Sequence, residues 1–329
     1  MAALGNPWPG AVAVSGGGDS VALMHLLADW ARARNLHAPK VLTVDHGLTS
    51  GSKKRASEVK AQATRLGLSC EILSWKGSKP RSDVEAAARE ARYRLMGEWC
   101  RANGIAFLYV AHSQDDQAET FLLRLARGSG LDGLSAMRSV APFPLENFSG
   151  LSLVRPLLDM TRDELRRFLA ARAVNWHEDP MNTDPRYARV RFRLIRPVLE
   201  EAGLSAARIA AAARHLGRAR EVLERDAALL VDTVARREGT RILIDGPALA
   251  AAPRELGLRA LAELLKQAGG QAYRPRFEQL ETLFDSLSNR RFAARTLHGC
   301  RLGVAPKRLA IFGSGTFLLE KEPGRAKPS

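Results

Sequence analysis

The stretch AVAVSGGGDSVALMHLLADW, residues 11–30, constrains this chain more than any other. Ala11 to Val14 reads as a short buried strand, three glycines permit a tight turn, and Asp19 to Trp30 reads as a helix with one apolar face. A strand that feeds a helix through glycines aims backbone N–H groups and the positive end of a helix at one spot, which suits an anion. Ser15, Gly16, Gly17, Gly18, Asp19 and Ser20 are the candidate cradle, with the two serine hydroxyls as further donors. No Lys follows the glycines, so this is not the lysine-bearing loop of nucleotide-hydrolysing P-loop proteins. An ordinary strand-to-helix turn is the plainer reading, but an Asp flanked by glycines and serine is unusual packing material.

Further apolar runs at 41–44, 69–74 and 105–111 alternate with helical patterns up to about residue 127. Strands spaced by helices predict an α/β fold, a mostly parallel sheet with helices on both faces, whose ligands bind where strands end. Residues 135–152 hold Pro142, Pro144 and Gly150 and read as a loop, and LVRPLLDM reads as a further strand or edge segment. Thr161 with Glu164 three residues on is a capping-box signal, and NWHEDPMNTDP (175–185) reads as an ordered loop. A long Ala- and Arg-rich helical pattern from 205 to about 237 then serves as a linker. Beyond it, strands at 241–244, 293–297, 300–304 and 309–312 frame helices near 246–268 and 276–287, the pattern of a small α+β domain. The expected division is 1–200 and 201–329, with the EKEPGRAKPS tail frayed and an apolar side of the linker helix favouring a homodimer.

With 329 residues, 46% of them hydrophobic, the chain can bury two cores. No apolar run approaches the roughly 18 residues of a membrane span, and no signal-type segment opens the chain, so a soluble cytoplasmic protein with no membrane partner is expected. Fifty Lys plus Arg against 35 Asp plus Glu give a formal charge of +15. That balance points to a polyanionic partner, nucleic acid first, with a merely solvated basic surface as the alternative. Cys70, Cys100 and Cys300 are far apart and form no C-x-x-C pair, which speaks against a disulfide framework or a zinc site.

Four other segments carry candidate chemistry. In VLTVDHGL, Asp45 and His46 end the second strand, where an adenine or ribose would lie, unless Asp45 only caps the next element. In YVAHSQDDQAETFLLRLARGSG, His112 ends the fourth strand and a helix opens near Asp115. Ala118, Phe121, Leu122 and Leu125 form its predicted core face, leaving Asp116 and Glu119 together on another. Two such carboxylates could hold Mg²⁺, accept a proton or bind an amine, although acids also favour a helix's first turn through the macrodipole. Arg92, on a helix predicted over 83–100 with Ser82 and Glu85 as a capping box, is able to reach a phosphate, though i, i+4 ion pairs are the plainer reading for that helix. Arg127 follows the carboxylate helix, as dipole partner or beside a flap. Finally, RYARVRFRLIR interleaves Arg186, Arg189, Arg193 and Arg196 with Tyr187 and Phe192, an RNA-backbone surface with rings for stacking, or a solvated basic face.

Together these residues resemble the PP-loop, or N-type, ATP pyrophosphatase superfamily, whose S-G-G-x-D-S turn matches Ser15 to Ser20. Within it the chain is similar to the tRNA(Ile)-lysidine synthetase family, because VDHGL, EAAAREARYRLM, AHSQDDQAETFLLRLARGSGLDGLSAM, RPLL and EDPMNTDPRYARVRFR occur in that order. ARTLHGC (294–300) resembles the family's C-terminal substrate-binding region more faintly. The chain departs from the pattern at Thr49, where a basic residue is common, and at Val190, near an Arg-Asn pair of the family.

The resemblance implies an adenine nucleotide alpha hydrolase-like fold and an ATP- and Mg²⁺-dependent transfer of free L-lysine to C2 of the wobble cytidine of tRNA(Ile) with a CAU anticodon. It implies that the turn holds the pyrophosphate portion of ATP and that Asp19 and Asp116 are Mg²⁺ ligands or their partners. Asp116 and Glu119 would bind and deprotonate lysine, Arg92 and Arg127 would stabilise phosphate charge, and His46 and His112 would position the nucleotide. A PP-loop tRNA thiolase, a synthetase using ammonia on a small acid, and a non-enzymatic basic RNA-binding protein are the rivals; the cysteine pattern weighs against the first and the charge against the second.

Overall fold

The structure is a computed structural model that describes residues 1–322 except 2, 3, 6, 78, 81, 179–187, 272 and 289–291, and the backbone alone of Ala188 and Arg189. The chain divides into two compact units, Met1–Gly217 and Arg218–Ser329.

In the first unit, short Val- and Leu-rich runs form β1 (Ala11–Ala13), β2 (Lys40–Asp45), β3 (Cys70–Ser74), β4 (Phe107–Tyr109), β5 (Val140–Pro142) and β6 (Ser152–Val154). Between and after them lie α1 (Gly18–Arg32), α2 (Ser52–Arg65), α3 (Val84–Ala102), α4 (Gln114–Leu125), α5 (Leu131–Leu134), α6 (Arg162–Ala170), α7 (Ala188–Leu194) and α8 (Arg196–Glu201). The sheet order is β3-β2-β1-β4-β6-β5, all pairs parallel except β5 with β6. Neighbouring residues alternate between two cores, as the pleat requires: Val12 and Val41 pack with α1 residues on one face, while Ala11 and Leu42 pack with Tyr93, Met96 and Cys100 of α3 on the other. Strand order reverses between β1 and β4, which opens a crevice beyond their C-terminal ends. The predicted α/β sheet is therefore present, with the 135–152 loop contributing an antiparallel edge strand.

Helix α9 (Ala206–Val234) contains the unit boundary and exposes Val222 and Leu229. The second unit holds an antiparallel sheet of order β7-β8-β11-β10-β9, formed by β7 (Ala235–Glu238), β8 (Arg241–Asp245), β9 (Arg295–Leu297), β10 (Cys300–Val304) and β11 (Thr316–Lys321). Its core is built from Ile242, Ile244, Leu261, Leu265, Leu283 and Phe317 on these strands, α11 (Arg254–Gly269) and α12 (Phe277–Ser286). Pro253 divides the predicted 246–268 helix: α10 (Gly246–Ala251) ends, Ala252 turns extended at ψ 155°, and α11 begins. A proline supplies no N–H and disfavours helical backbone in the residue before it. The strand predicted at 309–312 instead begins at Thr316, because Pro306 opens a 3₁₀ turn over Lys307–Leu309. The capping box predicted at Ser82 and Glu85 does not form: Asp83 is the N-cap, at φ 50° and with no side-chain cap. Most of the tail predicted to fray lies outside the described residues.

Gly257 of α11 lies where an added Cβ would stand 2.4 Å from the Phe284 ring and 3.2 Å from the Leu249 carbonyl oxygen. Gly257→Ala is expected to destabilise the second unit by about 1–3 kcal/mol despite the better helix propensity of alanine, read from denaturant unfolding. An unchanged or raised midpoint would show that Phe284 moves aside freely.

Candidate active site

The turn after β1 is held by its own serines. Ser20 Oγ donates to the Gly17 carbonyl at 2.8 Å and accepts from Ser15 N–H at 3.1 Å, with the two hydroxyls 3.2 Å apart. Gly16 sits at φ +91°, a backbone region that disfavours any residue with a Cβ. Helix α1 has Gly17 as N-cap with no side-chain cap, so its first-turn N–H groups meet no side-chain acceptor among the described residues and lie at the crevice as an anion site requires. Residues from the predicted 175–185 loop back this turn: His177 N–H donates to the Gly16 carbonyl at 2.9 Å, forming a parallel bridge with Gly17, and the Trp176 ring lies 3.3 Å from where a Gly18 Cβ would stand. The remainder of that loop lies outside the described residues.

Across the crevice, α4 keeps Ala118 of its predicted apolar face buried but buries the polar residues beside it as well. Gln114 through Thr120 are all buried, polar ones included, whereas Leu125 of the predicted apolar face is 51% exposed. Asp115, Asp116, Gln117 and Glu119 tolerate burial because they are partnered, whereas the Thr120 hydroxyl has no hydrogen-bond partner among the described residues. Ser113 caps the helix, and Asp116 closes a capping box: its Oδ2 accepts from Ser113 N–H at 2.9 Å while its own N–H donates to Ser113 Oγ at 3.4 Å. Asp116 Oδ1 turns instead to Arg162, which gathers all three predicted catalytic carboxylates. Its Nη2 donates to Asp116 at 2.5 Å and Nη1 to Glu119 at 2.7 Å, and Nε lies 3.4 Å from Asp19. Arg193 also holds Glu119, at 2.7 and 3.3 Å, and Asp115 accepts from Arg196 at 2.9 Å and from the Arg162 backbone at 2.8 Å.

This crowding sets the carboxylates apart. Burial, assisted by nearby Asp116, raises Asp19 to about 6, because the long contact to Arg162 compensates only partly. Burial pushes Asp116 in the same direction, but Arg162, the Ser113 hydrogen bonds and His112 outweigh it and hold Asp116 below the usual carboxylate range. Arg162 is held more firmly protonated, since the three carboxylates outweigh its desolvation. Among the described residues no three His, Cys, Asp or Glu side chains converge as a metal cage. Asp19 and Asp116 do share one cation, and two carboxylates with substrate phosphates are a donor set that fits Mg²⁺.

The other predicted residues divide. Asp45 Oδ1 accepts from Gly47 N–H at 3.0 Å and from Ser52 Oγ, so it closes its own turn, and the Ser52 bond leads in lowering its pKa. His46 is pushed down to about 4 by burial and by Arg92, hence neutral, and its Nε2 lies 3.4 Å from Arg92 Nε. His112 Nδ1 accepts from Arg155 Nε at 3.3 Å. Arg127 is exposed beyond the C-terminal end of α4, roughly 16 Å along a helix at 1.5 Å per residue from the carboxylates at its start. Arg186 and the Arg189 side chain lie outside the described residues, while Arg193 ends α7 and Arg196 begins α8, each engaged with a carboxylate. A small, open cleft runs beside Asp115 and Glu119, walled by Leu122, Phe192, Leu199, Leu204 and Ile209.

Arg162, Arg155 and His177 escaped the sequence reading. Only Arg162 left a signal: a cation in the first turn of a helix opposes the macrodipole, so it needs carboxylates from elsewhere.

Residues 9–199 match the family described as PP-loop domain. The chain is 41% identical to the tRNA(Ile)-lysidine synthase of Methylobacterium nodulans, over 95% of this chain and 90% of that one. The chain belongs to the tRNA(Ile)-lysidine synthase family. A second member, from Ruegeria pomeroyi, is 41% identical over 88% of this chain and 67% of its own length. Among solved structures, the U34-tRNA thiolase NcsA of Methanococcus maripaludis with its [4Fe-4S] cluster shares the fold at TM-score 0.52 and 18% identity, covering 64% of this chain and 71% of that one. Of the motifs named above, the glycine turn falls between β1 and α1, VDHGL at the end of β2, EAAAREARYRLM on α3 and AHSQDDQAET after β4 and into α4, while most of EDPMNTDPRYARVRFR lies outside the described residues.

Asp19 offers a direct check of this electrostatic arrangement. Its folded-state value near 6 stands above the ordinary 3.8, so the folded protein binds that proton more tightly than the unfolded chain. Its favourable contribution is complete below 3.8 and is lost as pH rises to about 6. The stability difference between wild type and Asp19→Asn is expected to fall across that window and level off above it; a flat difference from pH 4 to 7 would contradict the buried, raised carboxyl.

Proposed function

We propose that this protein joins lysine to the wobble cytidine of the isoleucine tRNA with a CAU anticodon, using ATP and Mg²⁺. In the first step the cytidine C2 oxygen attacks the α-phosphorus of ATP, forming the new P–O bond as the bond to pyrophosphate breaks. In the second the ε-amine of lysine adds at C2, the C2–O bond breaks, AMP leaves, and the amine's proton passes to a carboxylate.

The observation that carries this reading is the meeting of an anion cradle and a carboxylate cluster at one crevice, in a chain of this family. Ser15–Ser20 and the start of α1 would hold the pyrophosphate portion of ATP, with Arg92, His112 and a neutral His46 around the nucleotide. Asp19 and Asp116 would hold Mg²⁺, which supplies positive charge to the phosphate oxygens. Asp116 and Glu119 would take the amine and its proton, and the aliphatic cleft next to Glu119 suits a four-carbon stem. The exposed Arg127 and the RYARVRFR segment are assigned to tRNA contact, consistent with the +15 charge. The thiolase reading has less support, since Cys70, Cys100 and Cys300 are all buried, with burial raising Cys70 to about 11 and Cys100 to about 12. No helix among the described residues is long and apolar enough to cross a membrane.

The test is transfer of labelled lysine to bulk bacterial tRNA with ATP and Mg²⁺, followed by mild alkali, which strips aminoacyl esters and spares a modified base. Label that survives alkali and requires ATP is the expected result; ATP consumed with tRNA but no stable label redirects the reading to another nucleophile. Glu119→Gln is expected to lower lysine transfer by about 10²–10⁴-fold while the protein remains folded, measured in single turnover. Unimpaired transfer would remove Glu119 from the amine's path.

A further inference from the structure

Among the described residues Arg162 alone touches Asp19, Asp116 and Glu119, and it uses all three guanidinium nitrogens to do so. At Asp116 Oδ1 and Glu119 Oε1 its donors stand where those of a substrate ammonium would, while Arg193 holds the same Glu119 at 2.7 and 3.3 Å. The backbone of Arg162 is fixed independently. Its N–H donates to Asp115 at 2.8 Å, and Thr161 before it forms a capping box with Glu164. Only the side chain can vacate the carboxylates, by rotating.

The place it can move to is adjacent. Arg162 Nε stands 3.4 Å from Asp19, a residue of the first turn of α1, at the uncapped helix start that forms the anion cradle. Resting on the function proposed above, we propose that Arg162 couples the two substrates: in the empty protein its guanidinium stands in for the lysine amine, and phosphate charge at the cradle draws it off Asp116 and Glu119. The exchange conserves charge on both sides, since the guanidinium passes from carboxylates to phosphate as an ammonium replaces it at the carboxylates. Lysine binding before the nucleotide must displace a guanidinium held by three ion pairs; after the nucleotide it meets Asp116 and Glu119 released by Arg162, with Arg193 still on Glu119 and Ser113 on Asp116. Arg162 is thus a positioning residue that imposes an order, nucleotide first.

The test is equilibrium binding of L-lysine to the full chain by calorimetry, without and with saturating α,β-methylene-ATP, at constant Mg²⁺. Wild type is expected to bind lysine at least about 10-fold more tightly with the analogue present, a coupling of ordinary size for linked sites. Arg162→Gln is expected to bind lysine without the analogue about as tightly as wild type does with it, and to show less than about a twofold change on adding the analogue. A simple structural role for Arg162 predicts the opposite: weaker lysine binding in both conditions. Absence of coupling in wild type, or coupling retained in Arg162→Gln, overturns the inference. Arg162→Lys, which keeps a cation at the same backbone position, is expected to retain part of the coupling and serves if the Gln variant does not fold. Failure is separable from failure of the functional reading: a wild type that transfers lysine to tRNA but shows no coupling sinks only the role of Arg162, whereas a wild type that transfers no lysine sinks the reading beneath it.

Discussion

Neutralising buried carboxylates is the constraint around which the first unit is arranged. Asp19, Asp115, Asp116 and Glu119 sit at the ends of β1 and β4, in a crevice where an unpaired charge would be costly. The cations come from late in the chain, with Arg162 from α6, Arg193 from α7 and Arg196 from α8. Each ion pair spans more than 40 residues of sequence and ties a later helix to the sheet. Part of what composition presents as a basic surface is therefore internal structure. The formal +15 already nets these pairs out, so the excess positive charge lies on other residues, and exposed cations such as Arg127 carry more of the attraction to a polyanion than Arg193 or Arg196 can.

What was legible in the sequence was local. The glycine turn, the short parallel strands, the Thr161–Glu164 capping box and the α+β grammar after the long helix each follow from a few neighbouring residues, and the structure contains them all. Misreadings occurred where local rules meet distant partners. Periodicity places the apolar stripe of α4 inward, and Ala118 is buried, yet burial follows the N-terminal half of the helix: Asp115, Asp116 and Glu119 are buried with it, sustained by Arg162 and Ser113, while Leu125 is exposed. No window of sequence contains Arg162 and Glu119 together, or His177 and Gly16, so neither pairing leaves a periodic trace. The strand starting at Thr316 was missed for a different reason: apolar residues at 309–312 imitate a strand that Pro306 diverts into a 3₁₀ turn.

Histidine behaviour in the crevice shows how strongly the surroundings act on a side chain. His46 stays neutral at physiological pH because it is buried beside Arg92, with Lys79 and Arg55 adding to the effect. His112 accepts at Nδ1 from Arg155, so in its neutral form the proton resides on Nε2. Both rings are consequently better suited to holding a polar ligand in one orientation than to shuttling protons. The environments of the carboxylates differ enough to hold Asp19 and Asp116 apart in proton affinity.

Asp116 belongs to two structures at once, one oxygen starting α4 and the other facing Arg162. Such a position is pleiotropic. A change that adjusts its chemistry also shifts where the helix begins, and a change that repairs the cap moves the charge. Neither property can drift alone, so substitutions here face two independent filters, and the route to altered chemistry on this scaffold runs more readily through Glu119, which has no capping duty.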